Sequence, residues 1–495
     1  MTIQELIEFC QPLSTFGEPP EKMGKLCQDS RSVQSGDVFI AVRGIKSDGH
    51  HFIGEAIQKK AGLIICEEPL DTAGKPFTLI VQNTRQLLGP LAQKMAGNPF
   101  ESLITIGITG TNGKTTVATL VWQILTRIGK KASLLGTVEK RINTQIQKSR
   151  LTTADPIELA EDMKEIVEAG SQYLVMEVSS HALDQERIRG IRFDVAAFTN
   201  LSHDHLDYHR SMSEYAIAKK KLFNGLHSKS WAITNTDDEK GEWMADSTPA
   251  KVLSFSFEGK GLFNASVLES DAAGLKLEVD GTVFKTPLVG RFNAYNAVQA
   301  LLICTALGLE GAEVANILKE CSGAPGRMER VNPAARVNIE PAVFVDYAHT
   351  PNALENVADT LKKLKKRGEK LVIIFGCGGD RDKTKRPEMA HIAEKFADRV
   401  VVTSDNPRTE DPEAIIRDIF TGFTRPEKVT AITSRKEAIE TVIAQSGTKS
   451  IILIAGKGHE TYQEIHGERF HFDDREIARK ALEARNGHPK NSEVA

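Results

Sequence analysis

The run Gly110-Thr111-Asn112-Gly113-Lys114-Thr115-Thr116 has the make-up of a phosphate cradle. It follows a β-branched run at 103–109 and precedes a helix-like pattern at 116–128. In that position a glycine-rich turn aims successive backbone N–H groups at phosphate oxygens, and the helix N-terminus adds partial positive charge. Lys114 then reaches the terminal phosphates, and the Thr115 hydroxyl can ligate Mg²⁺. The usual spacing asks for glycine at 108, where Ile108 stands. The competing reading is a plain tight turn before a helix.

A second constellation combines His203, Asp204, His205, Asp207 and His209 with Glu177 and His181 at a neighbouring strand end. Its H-x-H-x-D-x-H spacing is one residue away from that of dinuclear zinc hydrolases, so metal ligation is the chemistry it suggests. Glu177 suits Mg²⁺, which near phosphates takes one or two carboxylates plus water. A third group lies near the C-terminus: Arg381 in GGDRDK, Arg408 in SDNPR, and Lys457, His459 and Glu460 in GKGHE. Arginine's rigid fork suits carboxylates, and Asp405 or Glu460 can hold an ammonium, so both signs together suit a zwitterionic amino acid. Weaker signals are Asp346, which can accept a ribose hydroxyl, and Asn293 and Asn296, which either read an adenine edge or cap a helix. By spacing alone Lys219-Lys220-Lys221 reads as a solvated helix face.

The elements that must carry these residues recur along the chain. Short β-branched strands end in polar turns at 103–109, 173–178, 195–199 and 231–234, separated by helical patterns such as 116–128 and 157–169. This is an α/β pattern with a largely parallel sheet, and ligands of such sheets sit beyond the carboxyl ends of the strands. The last third repeats the design: VFV leads into DYAHTP, LVIIF into GCGGDRDK, RVVVT into SDNPR and IILIA into GKGHE. The first hundred residues read as a smaller α/β domain, and AGNPFE (96–101) and GAPGR (323–327) as linkers. The expected division is 1–98, 99–326 and 327–495.

Composition sets bounds on the function. The 495 residues allow about three domains, and 40% hydrophobic with 26% charged residues is ordinary for a globular protein. A net charge of −3 argues against a nucleic-acid coat or a basic membrane-surface protein. The six cysteines form no CxxC pair, which fits a reducing cytoplasm. No apolar run approaches the ~20 residues that span a bilayer.

Taken together, GTNGKTT, MEVSSHAL, TNLSHDHLDYH, GRFNAYN, GAPGRME, DYAHTPNALE, FGCGGDRDK, DNPRTEDP and AGKGHE occur in the order seen in the Mur ligase family, over residues 24–475. The missing glycine at 108 is normal there, and DNPR resembles the mark of the meso-diaminopimelate-adding branch. The resemblance implies a UDP-binding N-terminal domain, a central P-loop-type ATPase domain with a mostly parallel sheet, and a C-terminal Rossmann-like domain. It implies ATP-dependent joining of meso-diaminopimelate to UDP-MurNAc-L-Ala-D-Glu, with two Mg²⁺ ions, by a cytoplasmic monomer without nucleic-acid or membrane partners.

Carried over by motif, the loop 110–116 with Asn293, Arg327 and Asp346 corresponds to the ATP site. Gln28, Ser30, Ile45, Lys46 and Ser47 correspond to UDP-sugar contacts. Thr152, Thr153, Ser179, Gln185 and Arg187 correspond to muramoyl-dipeptide contacts, while Leu151 stands where some members carry a polar residue. Arg381, Asp405, Asn406, Pro407, Arg408, Gly456 and Glu460 correspond to the diaminopimelate site. The family's N-carboxylated lysine falls on Lys219, in the YxxAK pattern from Tyr215, replacing the solvated-face reading. Thr115 and Glu177 would hold one Mg²⁺, and His205 with carboxylated Lys219 the other. Within the superfamily the nearest competing reading is a folylpolyglutamate synthetase; readings of other classes are a dinuclear metal hydrolase and a nucleotide-gated binding protein without chemistry.

Overall fold

The computed structural model describes residues 1–44, 47–69, 76–143, 145–332 and 341–486. They form two compact units: 1–263 with 302–308, and 264–301 with 309–495.

In the first unit, the β-branched runs become parallel strands in the spatial order Lys251–Ser256, Trp231–Asn235, Val195–Phe198, Ile104–Thr109, Tyr173–Glu177 and Ala132–Leu135. An antiparallel hairpin, Glu139–Ile142 with Gln145–Lys148, extends the last of them. Buried on both faces, the strands read as near-continuous apolar runs, as parallel sheets do. The chain moves to either side of Ile104–Thr109, so the turn after this strand lies where strand order reverses, the usual place for a ligand. The helix Lys114–Arg127 starts in that turn and buries Val117, Leu120, Val121 and Ile124. The helix Pro156–Glu168 begins with Asp155 accepting from two backbone N–H groups and Pro156 in the first turn, a paired start signal.

The first hundred residues fold as expected into a small sheet of five strands. Val38–Ile40, Leu63–Cys66 and Phe77–Ile80 run parallel at its centre, and Ser14–Phe16 is antiparallel at one edge. The apolar side of its helix Thr84–Met95 (Leu88, Leu91, Ala92) joins a core that also takes in Ala160 of the helix Pro156–Glu168.

The second unit holds the other parallel sheet. Ala342–Asp346, Ser450–Ala455, Lys370–Phe375, Arg399–Val402 and Thr430–Ala431 lie side by side, with Glu329–Val331 antiparallel at one edge. Its carboxyl ends bring Tyr347, Gly376, Ser404 and Gly456 to one side of the sheet. Helices Pro351–Leu364 and Pro412–Phe420 again start on a capping side chain, Thr350 or Asp411, followed by proline. The sequence pattern gave no sign of the antiparallel meander through Gly274–Val279 and Thr282–Thr286. It buries Leu275, Leu277 and Val279 on one face.

Candidate active site

The turn after Ile104–Thr109 has the shape that its glycines foretell. Gly110 has φ +149°, and a Cβ there would collide with the Thr199 hydroxyl, so no other residue fits. The neighbouring strand end braces the loop: the Asn112 N–H donates to Asn200 Oδ1 at 3.1 Å, and the Thr199 hydroxyl to the Asn112 carbonyl at 2.6 Å. Thr111 Oγ1 lies 3.1 Å from the Tyr215 hydroxyl. Lys114 folds back, its Nζ donating to the carbonyls of Gly110 and Thr111 at 2.9 and 2.8 Å.

Thr115 and Glu177 meet. The Thr115 hydroxyl donates to Glu177 Oε2 at 2.9 Å. Thr137, which the sequence reading missed, donates its N–H to Oε1 at 2.7 Å and its hydroxyl to Oε2 at 3.1 Å. It follows the strand Ala132–Leu135, and applying the strand-end rule to that strand would have found it. Glu177 is buried. This all-oxygen set at the head of a phosphate loop fits a hard cation such as Mg²⁺.

Lys219 corrects the solvated-face reading. On the helix Met212–Asn224 it shares a face with Tyr215, Leu222 and Phe223, all buried, and is itself 1% exposed. Its Nζ donates to the Gly110 carbonyl at 2.8 Å and sits 4.2 Å from the Tyr215 ring centroid. Burial, and then the nearby charge of Lys114, hold its amine well below the usual lysine range. Lys221 does face outward, paired with Asp184 at 3.2 Å.

The His/Asp run converges only in part: the His205 and His209 rings both pack on His181, at 4.9 and 5.5 Å, while the other members stay apart. His209 is buried with Nε2 2.9 Å from Ser180 Oγ, and burial pulls its pKa down to about 4. The His205 ring stands 4.9 Å from His181 and 6.0 Å from Tyr215, on the Lys219 side of the loop. Asp207 turns to another cavity, and His203 and Asp204 are exposed. Among the described residues no three or more His, Cys, Asp or Glu side chains gather as a metal-binding set.

A cavity of about 800 Å³ in the same unit is lined by Gln28, Gly44, Arg85, Leu151, Gln185 and Arg187 among others. Arg187 is fixed there by Gln185 Oε1 at 2.8 Å and the Thr153 carbonyl at 3.0 Å. Gln185 reaches the Tyr208 hydroxyl at 3.2 Å. With the Thr137 proton on Glu177, the Thr152 hydroxyl lies 3.0 Å from Thr137 Oγ1, and the Ser179 N–H donates to Thr153 Oγ1 at 3.1 Å. Thr152 therefore connects to Glu177 through Thr137, and Thr153 directly, its hydroxyl donating to the Glu177 carbonyl at 2.9 Å. Leu151 is exposed on the cavity wall. Ser30 is buried instead, its hydroxyl on Glu55 at 2.6 Å. Ser47 lies in the turn whose carbonyl accepts from the Gly44 N–H at 2.9 Å. Ile45 and Lys46 lie outside the described residues.

In the second unit a cavity of about 700 Å³ collects Arg381, Asp405, Asn406, Arg408, Gly456 and Glu460. Tyr347, His349, Asp382, Lys385, Tyr462, Glu464 and Arg469, not singled out by the sequence, are among the other residues that line it. The turn through Pro407 brings Arg408 to φ +52°, held by the hairpin Tyr462–Ile465/Glu468–His471: its N–H donates to the Glu464 carbonyl at 3.0 Å. Its Nη1 donates to the Gly379 carbonyl at 2.7 Å. Glu410 belongs instead to buried Arg386, at 2.9 Å, which draws its carboxyl down to about 2. Among the described residues neither Arg381 nor Arg408 pairs with a carboxylate. Asp346 accepts from the Met328 and Ala348 N–H groups at 2.7 and 2.8 Å, and burial raises its pKa. Asn293, in the first turn of the helix Arg291–Ala306, donates its amide to the Val289 carbonyl just before the helix at 2.9 Å and accepts from Asn296 Nδ2 at 2.9 Å. The Arg327 guanidinium lies 5.0 Å from the Tyr347 ring centroid.

Three stretches match family models: residues 25–94 the Mur ligase family catalytic domain, 108–304 the Mur ligase middle domain, and 326–458 the Mur ligase glutamate ligase domain. The UDP-N-acetylmuramoyl-L-alanyl-D-glutamate–2,6-diaminopimelate ligase of Cytophaga hutchinsonii is 41% identical over 487 residues, 98% of this chain and 99% of that one. That of Parabacteroides distasonis is 40% identical over 483 residues, 97% and 99% of the two chains. A solved structure bearing the same enzyme name superposes with a TM-score of 0.73 at 32% identity, covering 99% of this chain and 100% of that one.

Proposed function

This chain belongs to the Mur ligase family, and from that premise we propose that it joins meso-diaminopimelate to the D-Glu γ-carboxylate of UDP-MurNAc-L-Ala-D-Glu at the expense of ATP. The product is a peptidoglycan precursor. The single observation that carries the amino-acid assignment is the second-unit cavity, where Arg381 and Arg408 stand without carboxylate partners beside Asp405 and Glu460. We assign 1–98 to the UDP-sugar, 99–326 to ATP and 327–495 to the amino acid. The matched segment 25–94 speaks against a folylpolyglutamate synthetase, which lacks that domain. Among the described residues no helix is long and apolar enough to cross a membrane; we place the enzyme in the cytoplasm as a monomer.

A carboxylate does not condense with an amine at neutral pH because its leaving group is too poor. ATP supplies a better one. The γ-carboxylate oxygen attacks the γ-phosphorus, the bond to ADP breaks, and an acyl phosphate forms. Lys114, whose Nζ rests on the Gly110 and Thr111 carbonyls, swings from them to meet the charge that develops on the transferred phosphoryl group, beside the N-terminus of its own helix. Magnesium, held by Thr115 and Glu177 on one side and by His205 and carboxylated Lys219 on the other, would add positive charge to the phosphate oxygens. Lys219 suits carboxylation because its buried amine, held below the usual lysine range, has the neutral form that adds to CO₂. Arg187 and Gln185 orient the dipeptide. Arg381 and Arg408 take the diaminopimelate carboxylates, while Asp405 and Glu460 take an ammonium, leaving the other amine to attack the acyl carbon and expel phosphate.

The test is phosphate release from ATP with each substrate omitted in turn. Release that requires both UDP-MurNAc-L-Ala-D-Glu and diaminopimelate supports the reaction. Release independent of the amino acid refutes it.

A further inference from the structure

The most deeply buried cation of the amino-acid cavity is one that cannot touch a ligand. Lys457, at the base of the GKGHE turn, has no exposed surface. Its Nζ donates to Asn406 Oδ1 at 2.9 Å and pairs with Glu460 Oε2 at 3.2 Å. Asn406 Nδ2 donates to the same Oε2 at 2.9 Å. The Glu464 N–H donates to Asn406 Oδ1 at 3.0 Å, and the Glu464 carbonyl holds the Arg408 N–H at 3.0 Å. Lys457 thus stands behind the two groups that face the ligand at one end, and one residue removed from the arginine that faces it at the other.

We propose that Lys457 is a positioning residue for amino-acid recognition, fixing the Glu460 carboxylate, with the Asn406 amide as a second clamp on it, in the one arrangement that receives the substrate ammonium. A carboxylate free on one side of a cavity samples several rotamers, and ordering it on binding costs affinity. Here two donors grip one oxygen of Glu460, so its other oxygen has a fixed direction before the ligand arrives. The amide of Asn406 is likewise defined: its oxygen accepts from a cation and an N–H, so its nitrogen must point to Glu460. Lys457 also offsets the charge of the Glu460 carboxylate directly, at 3.2 Å. A lysine with no accessible atom cannot be a substrate contact, so its effect must pass through Glu460 and Asn406. This inference rests on the ligase reading above.

The experiment compares wild type, Lys457→Met, Glu460→Gln and the double variant in diaminopimelate-dependent phosphate release, with melting temperatures alongside. Lys457→Met should raise KM for diaminopimelate ~10–100-fold, the size expected for losing one charge-assisted contact, with KM for ATP within about threefold. The double variant should be no worse than Glu460→Gln by more than about threefold, because both substitutions break one unit. Should Lys457→Met fail to fold, Lys457→Gln, whose amide still donates, carries the same test with a smaller rise and the same non-additivity. An unchanged diaminopimelate KM, multiplying effects in the double variant, or a parallel rise in the ATP KM would overturn the inference and leave the reaction standing. A wild type without diaminopimelate-dependent release would overturn the reaction and this inference with it.

Discussion

Replacing Arg408 by alanine tests the amino-acid assignment most directly, because meso-diaminopimelate differs from lysine chiefly by a carboxylate at the far end of the side chain. The Gly379 carbonyl holds Arg408 Nη1 at 2.7 Å, which fixes the guanidinium and leaves its other N–H groups for a ligand. Two charge-assisted hydrogen bonds at ~1.5–3 kcal/mol each amount to about 3–6 kcal/mol, or roughly 10²–10⁴ in kcat/KM for diaminopimelate over lysine. The backbone should tolerate the change. Alanine at φ +52° is no worse placed than arginine, and the bonds to Glu464 and His466 are main-chain. The assay is phosphate release at saturating ATP and UDP-substrate with each amino acid varied. Arg408→Ala should raise the diaminopimelate KM and narrow the gap over lysine, with the ATP KM unchanged. Gly378→Ala offers a milder version, since its Cβ would sit 2.9 Å from Arg408 Nη1 and push the guanidinium aside. Lysine used within tenfold of diaminopimelate by the wild type, or a gap unaltered in Arg408→Ala, would refute the reasoning.

Lys219→Ala should lose at least ~100-fold in kcat, with partial recovery in added formate or acetate, which can replace carbamate oxygens; full activity in CO₂-free buffer would argue against carboxylation. Asp474→Ala strips the fully buried Arg435 of its bidentate partner at 2.7 Å, and an unpaired buried charge should cost about 3–5 kcal/mol by denaturant unfolding. His209 and His459 are both held neutral by burial, with pKa values lowered to about 4. In the unfolded chain each takes up a proton near pH 6.5. Their stability contribution is therefore present above that pH and lost as pH falls toward 4. The melting temperature should drop across this window, and His209→Asn should flatten the drop.

Much of the site was legible in the residues because it depends on local geometry. A glycine-rich turn between strand and helix sets a helix N-terminus at the strand end, and Gly110–Thr116 does so here, with Gly113 at φ +87° just before the helix Lys114–Arg127. Capping residues followed by proline started helices at Pro156, Pro351 and Pro412. Strands ending in polar turns marked the cavity edge at Asp405 and Gly456.

What the chain could not announce was which strand ends become neighbours. Parallel strands buried on both faces are nearly uniform apolar runs, so their order is not written in them. Thr137 meets Glu177 only because Ala132–Leu135 lies beside Tyr173–Glu177. Lys219, Lys220 and Lys221 are identical as sequence; helix rotation puts one under the phosphate loop and another in solvent. The histidines of HDHLDYH share a spacing but not a burial: His209 is buried on Ser180, while His203 and His205 stay exposed, although His205 and His209 both pack against His181 and Tyr215. Among the described residues Arg408 forms no ion pair with Glu410, because Arg386, from a separate helix, already holds that carboxylate. Local sterics set the elements, and the long-range packing of those elements decided which charges were left unpaired to do chemistry.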